Sequence, residues 1–242
     1  MADEVVLAVD ACVGWHDSWM RAFGLRTETD ADAWRLLDEP PKLWYFTAIT
    51  RKPDAPPEAL ARSMGTVCDA WSRLDLALFG FERRDTEPWF FRPAGPLASK
   101  PSPPELQILR TTTPEEVEEF EAVSVRGFET EEAWIEVGTA HPPAILGDLR
   151  MTNWIGRVAG RPVAAAMSYQ TDGAIGVFGV TTVASARKRG YGTAITRAAV
   201  LADSGLPSVL APSPEGENLY KRLGFRPVGR LQQWRRTQDP KS

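Results

Sequence analysis

The chain of 242 residues is poor in the residues that hold metals and disulfides, with two cysteines and two histidines. Cys12 and Cys68 lack metal-ligand spacing, and His16 and His141 lie far apart, so the sequence offers no zinc constellation. We therefore predict two reduced cysteines, no metal and a cytoplasmic protein.

Long apolar runs are also lacking. No stretch of about 18 apolar residues occurs, so we predict no membrane span and no membrane partner. The first residues, MADEVVLAVDACVG, have no basic region before their apolar part, which is not the pattern of a signal peptide. The formal net charge of −4 argues against nucleic acid as a main partner, because nucleic-acid binders usually present a basic face.

Proline marks the best candidate for a linker. The stretch Gly95 to Pro104, GPLASKPSPP, has four prolines among small and polar residues and favours extended, poorly packed chain. We place a domain boundary near residue 103. This divides the chain into an N-terminal α/β unit, residues 1–103, and a second unit, residues 104–242.

The N-terminal unit is predicted from local patterns. Residues 1–40 are mostly helical in pattern, including the stretch ADAWRLLDE, and Pro40-Pro41 ends them. Strands are predicted over Leu43–Ile49, Leu74–Phe81 and Trp89–Arg92, and a helix over Glu58–Ser72. Six of the nine tryptophans lie in this unit. Large rings of this kind either pack in a core or line a substrate groove, and the sequence leaves both open.

The second unit opens with a predicted strand, Leu106–Arg110, and a helix that begins at Thr113-Pro114-Glu115-Glu116. Thr is a preferred N-cap, Pro suits the first helical position, and Glu at the third position reaches back. The acids of this helix are assigned to its solvated face: Glu115, Glu116, Glu118, Glu119 and Glu121. A second helix is predicted over residues 130–138, and a hairpin around Ala159-Gly160 joins two further strands.

The central stretch runs from Ala174 to Ala202. A β-branched strand leads into a basic turn, Arg187-Lys188-Arg189-Gly190-Tyr191-Gly192, and a helical pattern follows. Glycines allow close approach of backbone N–H groups, and a helix start offers unpaired N–H donors with a partial positive charge. Strand, cationic glycine turn and helix together predict a site for a pyrophosphate.

Two motifs at this end of the chain carry a resemblance. The turn has the form R-x-x-G-x-G, which is neither a P-loop nor a dinucleotide fingerprint. Downstream, Asn218-Leu219-Tyr220-Lys221-Arg222-Leu223-Gly224-Phe225 contains L-Y-x-x-x-G-F. In this order and at this separation, the two resemble the signatures of the GNAT (GCN5-related N-acetyltransferase) superfamily, over residues 105–236. The sequence departs from the usual pattern at Ala184, Ser213 and Gly216.

The resemblance implies an α/β (α+β) GNAT fold, with a mixed, mostly antiparallel central sheet flanked by helices and preceded by a smaller α/β unit. The N-terminal strand–helix–strand order resembles half of a GNAT domain that has lost its phosphate turn, with an unrelated α/β cap as the alternative. The implied activity is direct transfer of an acetyl group from acetyl-CoA to a primary amine. The implied cofactor-binding residues are Val180, Thr181, Thr182, Arg187, Lys188, Arg189, Gly190, Tyr191, Gly192 and Thr193.

Tyr220 is the residue that the resemblance assigns as catalytic. A phenol is protonated at neutral pH and can therefore donate a proton to the departing thiolate. Packing on the cofactor without a proton role is the alternative for Tyr220. The general base stays unassigned among Glu119, Glu132, Glu136, Asp148 and His141, a water relay, or a substrate that arrives neutral. Acceptor contacts are expected somewhere between Phe128 and Leu146.

Two other functions are compatible with the sequence. One is a non-catalytic acyl-CoA-binding protein of the same fold, and the intact Arg187, Gly190, Gly192 and Tyr220 argue against it. The other is an aminoacyl-transfer enzyme that uses charged tRNA, and the acidic balance argues against that. The expected partners are a small-molecule or peptide amine acceptor, and the expected assembly is a monomer or homodimer.

Overall fold

A computed structural model describes residues 3–39, 45–97, 101–128 and 138–237. Most of the helix predicted over residues 130–138 therefore lies outside the described residues, as do Glu132 and Glu136.

The C-terminal half begins with a meander of four antiparallel strands: β6 (Leu106–Arg110), β7 (Met151–Val158), β8 (Arg161–Gln170) and β9 (Ile175–Thr182). The turn between β7 and β8 has positive φ at both Ala159 and Gly160, as the tight turns of two-residue hairpins require. The predicted strand Leu106–Arg110 and the predicted hairpin are confirmed.

Three helices accompany this meander. Helix α3 (Pro114–Gly127) starts as predicted, with the Thr113 side chain accepting from the Glu116 backbone N–H. Helix α4 (Tyr191–Val200) follows the basic turn, and α5 (Glu217–Arg222) carries the second motif. One prediction for α3 is wrong, because Glu121 is buried and not solvated. Its carboxylate accepts hydrogen bonds from the backbone N–H groups of Ala140 and His141.

The N-terminal half contains the long helix α1 (Glu4–Ala22), the short helix α2 (Glu58–Ala61) and five strands. The strands are β1 (Thr27–Thr29), β2 (Ala33–Leu36), β3 (Phe46–Thr50), β4 (Thr66–Asp69) and β5 (Phe81–Arg92). The helix at the start of the chain and strands at β3 and at Trp89–Arg92 are confirmed.

Three local predictions in this half are wrong. The stretch ADAWRLLDE forms β2 instead of a helix. The strand pairs with β1 and β3, and its side chains Ala33, Trp34 and Leu36 are buried. The helix predicted over Glu58–Ser72 stops at Ala61, and Gly65, with φ of 75°, leads into β4. The stretch Leu74–Gly80 is a loop with one 3-10 turn (Ala77–Phe79), which Gly80 closes with φ of 79°, and Phe81 is the first residue of β5.

One eleven-stranded sheet runs through the described structure in the order β1-β2-β3-β4-β11-β5-β10-β9-β8-β7-β6, where β10 is Ser208–Leu210 and β11 is Arg226–Arg236. The pairs β3–β4 and β9–β10 are parallel, and the other pairs are antiparallel. The mixed, mostly antiparallel sheet flanked by helices is the fold class that the sequence predicted.

The sheet joins the two halves through exchanged strands. Each half has antiparallel strands that lead into a parallel pair, β3–β4 in one and β9–β10 in the other. Beside each parallel pair lies the last strand of the other half, because β11 pairs with β4 and β5 pairs with β10. The exchanged strands then pair with each other at the centre of the sheet. The strand order repeats in the two halves, while the degenerate GNAT-like N-terminal half and the boundary near residue 103 stay predictions.

Helix α1 packs over the centre of the sheet and faces both halves. Its apolar residues contact β5 and β11 on one side and β9 and β10 on the other. The indole N–H of Trp19 donates to the Ala140 carbonyl oxygen at 3.0 Å, which connects the helix to the loop before β7. No helix in the described ranges is long and apolar enough to cross a membrane.

Candidate active site

The strand β9 departs from regular pairing in its middle. Met167 of β8 lies opposite Phe178, and Ala165 lies opposite Thr181, so β9 carries one more residue than β8 between these pairs. Gly179 has φ of 56°, which lets the extra residue form a β-bulge. The bulge changes the direction of the backbone at Gly179 and Val180.

The parallel neighbours β9 and β10 pair over two positions only, Ser208 with Ile175 and Val209 with Gly176. Strand β9 continues for six residues beyond this pairing, whereas β10 ends at Leu210. The two strands therefore separate, and in the described part of the chain no strand covers that edge of β9. This is the opening that the resemblance implied at Val180, Thr181 and Thr182.

The basic turn places six backbone amides at the start of α4. In the described structure, none of the N–H groups from Lys188 to Thr193 donates to a protein acceptor, and the first bond of the helix runs from Ala194 to the Gly190 carbonyl oxygen. Lys188 and Gly190 have φ of 63° and 86°, which curls the turn back to the helix start. The arrangement is a positively polarised cradle of donors.

The three cations of the turn are exposed but differ in their contacts. Arg187 donates to the carbonyl oxygens of Thr182, at 3.1 Å, and Gly127, at 3.0 Å, so its guanidinium fastens the end of β9 to the end of α3. Arg189 lies near Glu105 and lowers the pKa of that carboxyl, after the larger effect of its hydrogen bond from Tyr191. Lys188 takes part in none of the ion pairs of the described residues, so its charge is available to a ligand.

Two of the predicted cofactor-binding residues have buried side chains. The Tyr191 hydroxyl donates to Glu105 at 2.7 Å, so only the backbone of Tyr191 belongs to the cradle. Thr181 packs against Gly127, where an added Cβ would lie 1.8 Å from the Thr181 hydroxyl oxygen. Gly192, Thr193, Thr182 and Val180 are partly exposed, which leaves their backbone groups accessible.

A cavity of about 490 Å³ begins where β9 and β10 separate. Its lining comes from α1, β5, α3, β9, β11 and the segment that carries Tyr220. Its lining includes the following residues: Cys12, Trp15, His16, Tyr45, Glu87, Trp89, His141, Phe178, Val180, Ser213, Tyr220 and Gln233. Trp15 and Trp89 are buried from bulk solvent and also line this cavity, so core packing and groove lining both apply to the tryptophans.

Tyr220 is 9% exposed and lines the cavity together with Val180 and Ser213. Burial raises the pKa of its phenol to about 12, so the hydroxyl is protonated at neutral pH. Its hydroxyl has no hydrogen-bond partner in the described residues, and the ring packs edge-on against Phe225. An added Cβ on Gly216 would lie 2.9 Å from the ring, so the glycine at this departure from the motif leaves room for Tyr220.

Glu87 is the one carboxylate among the described residues that line the cavity. It lies on β5, and its Oε1 accepts from Gln233 Nε2 of β11 at 3.1 Å. Burial, with a further contribution from the negative charge of Asp85, raises the pKa of this carboxyl to about 7. A carboxyl that titrates near neutral pH is suited to accept and release a proton.

Both histidines lie at the cavity in neutral form. Burial lowers the pKa of His16 to about 4. Two hydrogen bonds hold its ring in place: Nδ1 donates to the Cys12 carbonyl oxygen, and Nε2 accepts from the Phe46 backbone N–H. Burial lowers the pKa of His141 to about 3, and its Nδ1 has no hydrogen-bond partner. Each imidazole is therefore unprotonated at neutral pH and accepts a proton only weakly, which makes both histidines poor candidates for the general base.

The other candidate bases lie away from the cavity. Glu119 forms an ion pair with Arg157 at 2.5 Å on the outer face of α3, and Asp148 accepts from the Arg150 backbone N–H. Cys12 and Cys68 are buried and form no disulfide in this structure, and burial raises the pKa of both thiols. Within the described ranges, no group of three or more His, Cys, Asp and Glu side chains is placed to hold a metal ion.

Solved structures resemble the whole described architecture. A GCN5-related N-acetyltransferase from Kribbella flavida aligns over 98% of this chain and 96% of its own, with a TM-score of 0.67 and 21% identity. The chain has the GNAT fold. A putative acetyltransferase of the GNAT family from Novosphingobium aromaticivorans aligns over 95% of this chain and 96% of its own, with a TM-score of 0.56 and 18% identity. No protein-family model matches the sequence, and no curated protein matches it.

The GNAT fold brings together residues that sequence reasoning missed. Gly179 left a signal, since an isolated glycine in a strand pattern indicates a bulge. Gly127 left none, because its role depends on contact between α3 and Thr181 of β9. Glu87 gave no sequence signal either. It lies at the cavity because β5 pairs with β11, where its hydrogen-bond partner Gln233 is 146 residues away along the chain.

Proposed function

We propose that this protein is an N-acetyltransferase that moves an acetyl group directly from acetyl-CoA to a primary amine. One observation carries the proposal: the open edge of β9, the cradle of amides at α4 and the cavity at Tyr220 adjoin one another. The fold likeness to acetyltransferases supports an acyl-transfer function of this kind.

The donor fits the residues present. The unpaired amides from Lys188 to Thr193 suit a pyrophosphate, and Lys188 adds a full positive charge. Beyond the bulge, the uncovered backbone of β9 offers hydrogen bonds to the amide-bearing arm of the donor and to the thioester carbonyl near Val180. Polarisation of that carbonyl by a fixed N–H group would favour attack by the amine.

The proposed reaction balances with groups of this chain. The acceptor loses a proton to a base, its nitrogen forms a bond to the carbonyl carbon, and the carbon–sulfur bond breaks. Tyr220 gives its proton to the departing thiolate, and the second proton lost from nitrogen restores the phenol through cavity solvent. The products are the N-acetyl amine, CoA and one proton.

We propose further that the acceptor is a small-molecule or peptide amine, without a nucleic-acid or membrane partner, and that the protein acts as a monomer or homodimer. The free, buried cysteines support a cytoplasmic setting.

The first experiment measures acetyl-CoA binding by calorimetry. Lys188→Glu places a negative charge at the cradle, and we expect the dissociation constant for acetyl-CoA to rise about tenfold. Arg62→Glu is the matched control, since Arg62 is exposed in the N-terminal half and makes the same change of charge away from the site.

Three outcomes are informative. Binding that weakens in Lys188→Glu alone, together with transfer to an amine, supports the enzyme. Binding without transfer to any amine of a broad panel favours a non-catalytic acyl-CoA-binding protein. A folded protein that binds no acetyl-CoA contradicts both.

A further inference from the structure

We infer that the acceptor is a primary amine carried on a flat aromatic body, with Glu87 as the group that receives its nitrogen. The inference rests on the proposed acetyl transfer and names the substrate class of that same site.

The walls of the cavity select for a ring. Trp15 of α1 stacks on Phe178 of β9, with centroids 4.5 Å apart and planes inclined by 14°. Tyr45 meets Trp15 edge-on at 5.1 Å, and Trp89 forms a further wall from β5. Aromatic walls recognise a flat apolar body by burial and by ring–ring geometry, and they offer little to hydroxyl groups.

The Glu87 carboxylate lies among these rings and can accept further hydrogen bonds. Glu87 Oε1 is engaged by Gln233, while Oε2 has no hydrogen-bond partner in the described residues. No ion pair of the described residues includes Glu87. A half-buried carboxylate without a cation favours a ligand that brings one, and an ammonium supplies both the charge and N–H donors.

A second, smaller cavity also reaches Glu87. It has a volume of about 240 Å³, and its charged lining residues besides Glu87 are Glu217, Lys221 and Arg230. Glu87 is thus placed between the aromatic cavity and a polar one. A proton taken from the ammonium on the aromatic side has a path to solvent on the polar side.

Asp85 on the same strand raises the pKa of Glu87. The titratable groups that share the cavity with Glu87 are uncharged at neutral pH: Cys12, His16, Tyr45, His141 and Tyr220. The Cys68 thiol, whose pKa is also raised by burial, lies near Glu87 as well. From α5 and β11, Glu217, Lys221 and Arg230 face Glu87 across the smaller cavity. Proton transfer from the acceptor to Glu87 leaves a neutral amine, which then attacks the thioester carbon with loss of CoA as described above.

The chemistry disfavours two other classes of amine. A polyamine would place a second ammonium against Trp15 and Phe178, and an aminosugar would place hydroxyls there. The hydroxyls would lose hydration without a hydrogen-bond partner on these rings, and the second ammonium would gain only a cation–π contact in place of the carboxylate that its charge requires.

A panel of acceptors tests the substrate class. The probes are 2-phenylethylamine, spermidine and glucosamine at equal concentration with acetyl-CoA. We expect kcat/KM for 2-phenylethylamine to exceed both others by at least about tenfold. A preference for spermidine or glucosamine overturns the inference and leaves the acetyltransferase intact. Absence of transfer with every probe, when acetyl-CoA binds, counts against the proposed function.

Glu87→Gln tests the carboxylate. Glutamine keeps the shape, so we expect kcat/KM for 2-phenylethylamine to fall by about 10²-fold at pH 7. The rise of kcat/KM near pH 7 would also disappear, because it reports ionisation of Glu87. Glu82→Gln is the control, since Glu82 is exposed on the same strand and pairs with Arg84. An unchanged profile in Glu87→Gln overturns the role of Glu87.

Binding gives a readout apart from turnover. Calorimetry of 2-phenylethylamine with the CoA-bound protein is expected to show binding that weakens about tenfold in Glu87→Gln and stays within twofold in Glu82→Gln. Phe178→Leu removes one aromatic wall and is expected to weaken 2-phenylethylamine more than acetyl-CoA. Equal weakening of both ligands would contradict an acceptor site at these rings.

Discussion

Tyr220 and Glu87 show how burial sets the proton state of two side chains that share one cavity. Burial raises both pKa values, the phenol to about 12 and the carboxyl to about 7. Tyr220 therefore stays protonated at neutral pH, whereas Glu87 gains and loses a proton near neutral pH. The pair therefore has the separated pKa values that an acid and a base require.

Tyr220→Phe tests the acid. The ring and its packing against Phe225 remain, while the hydroxyl that faces the cavity is lost. We expect kcat to fall about 10²-fold with acetyl-CoA affinity unchanged within twofold. Steady-state kinetics and calorimetry give the two values. A variant with full kcat would show that Tyr220 only packs on the donor.

The two residues also mark what the sequence could and could not predict. Tyr220 lies in a motif of consecutive residues, so its identity was visible. Glu87 is one of 32 acidic residues and has no local pattern around it. What distinguishes it is burial beside Gln233 of β11, a contact between distant parts of the chain.

The elements of the C-terminal half follow local signals closely. Thr113-Pro114 starts α3, Ala159-Gly160 turns the β7–β8 hairpin, and Gly190 precedes α4. In the N-terminal half, β2 and β4 were mistaken for helix, because pairing with β3 overrides the helical preference of short stretches.

The bulge in β9 gives a test at the scale of one strand. In Gly179→Ala, the residue must hold φ of 56°, and its Cβ would lie 2.4 Å from Met167 Cε. We expect the free energy of unfolding to fall by about 1–3 kcal/mol. We also expect kcat/KM for acetyl transfer to fall, because the backbone near Val180 moves.

Gly147→Ala is the matched control for the bulge. Its Cβ would meet nothing within 4 Å, and its backbone angle is ordinary. Urea unfolding and acetyl-transfer kinetics of both variants provide the comparison. Equal stability of Gly179→Ala and Gly147→Ala would contradict a strained backbone at the bulge.

For the whole molecule, buried histidines predict a loss of stability in acid. His16 and His141 have pKa values of about 4 and 3 in the folded protein, below the ordinary value of 6.5. The unfolded chain binds their protons first, so stability is full above about pH 6.5 and falls as the pH drops toward 4. The expected loss at pH 5 is about 2 kcal/mol per histidine.

Glu87 affects the pH dependence of folding stability in the opposite direction. Its folded pKa of about 7 lies above the ordinary 4.5, so its protonation stabilises the folded state as the pH falls from 7 to 4.5. Glu87→Gln removes this opposing effect, and its loss of stability between pH 7.5 and 5 is expected to be steeper than that of the wild type. Urea unfolding followed by tryptophan fluorescence measures both slopes. Parallel slopes would contradict the raised pKa of Glu87.

The exchanged strands have a consequence for how the protein is made. During synthesis on the ribosome, β4 and β5 emerge long before β11, which lies between them in the finished sheet. Until residues 226–236 leave the exit tunnel, β4 and β5 each have an unpaired edge on the side where β11 lies in the folded protein. The edges of β4 and β5 must therefore stay unpaired until β11 is synthesised. Strand β11 then closes the sheet and, with Gln233 beside Glu87, completes the lining of the cavity.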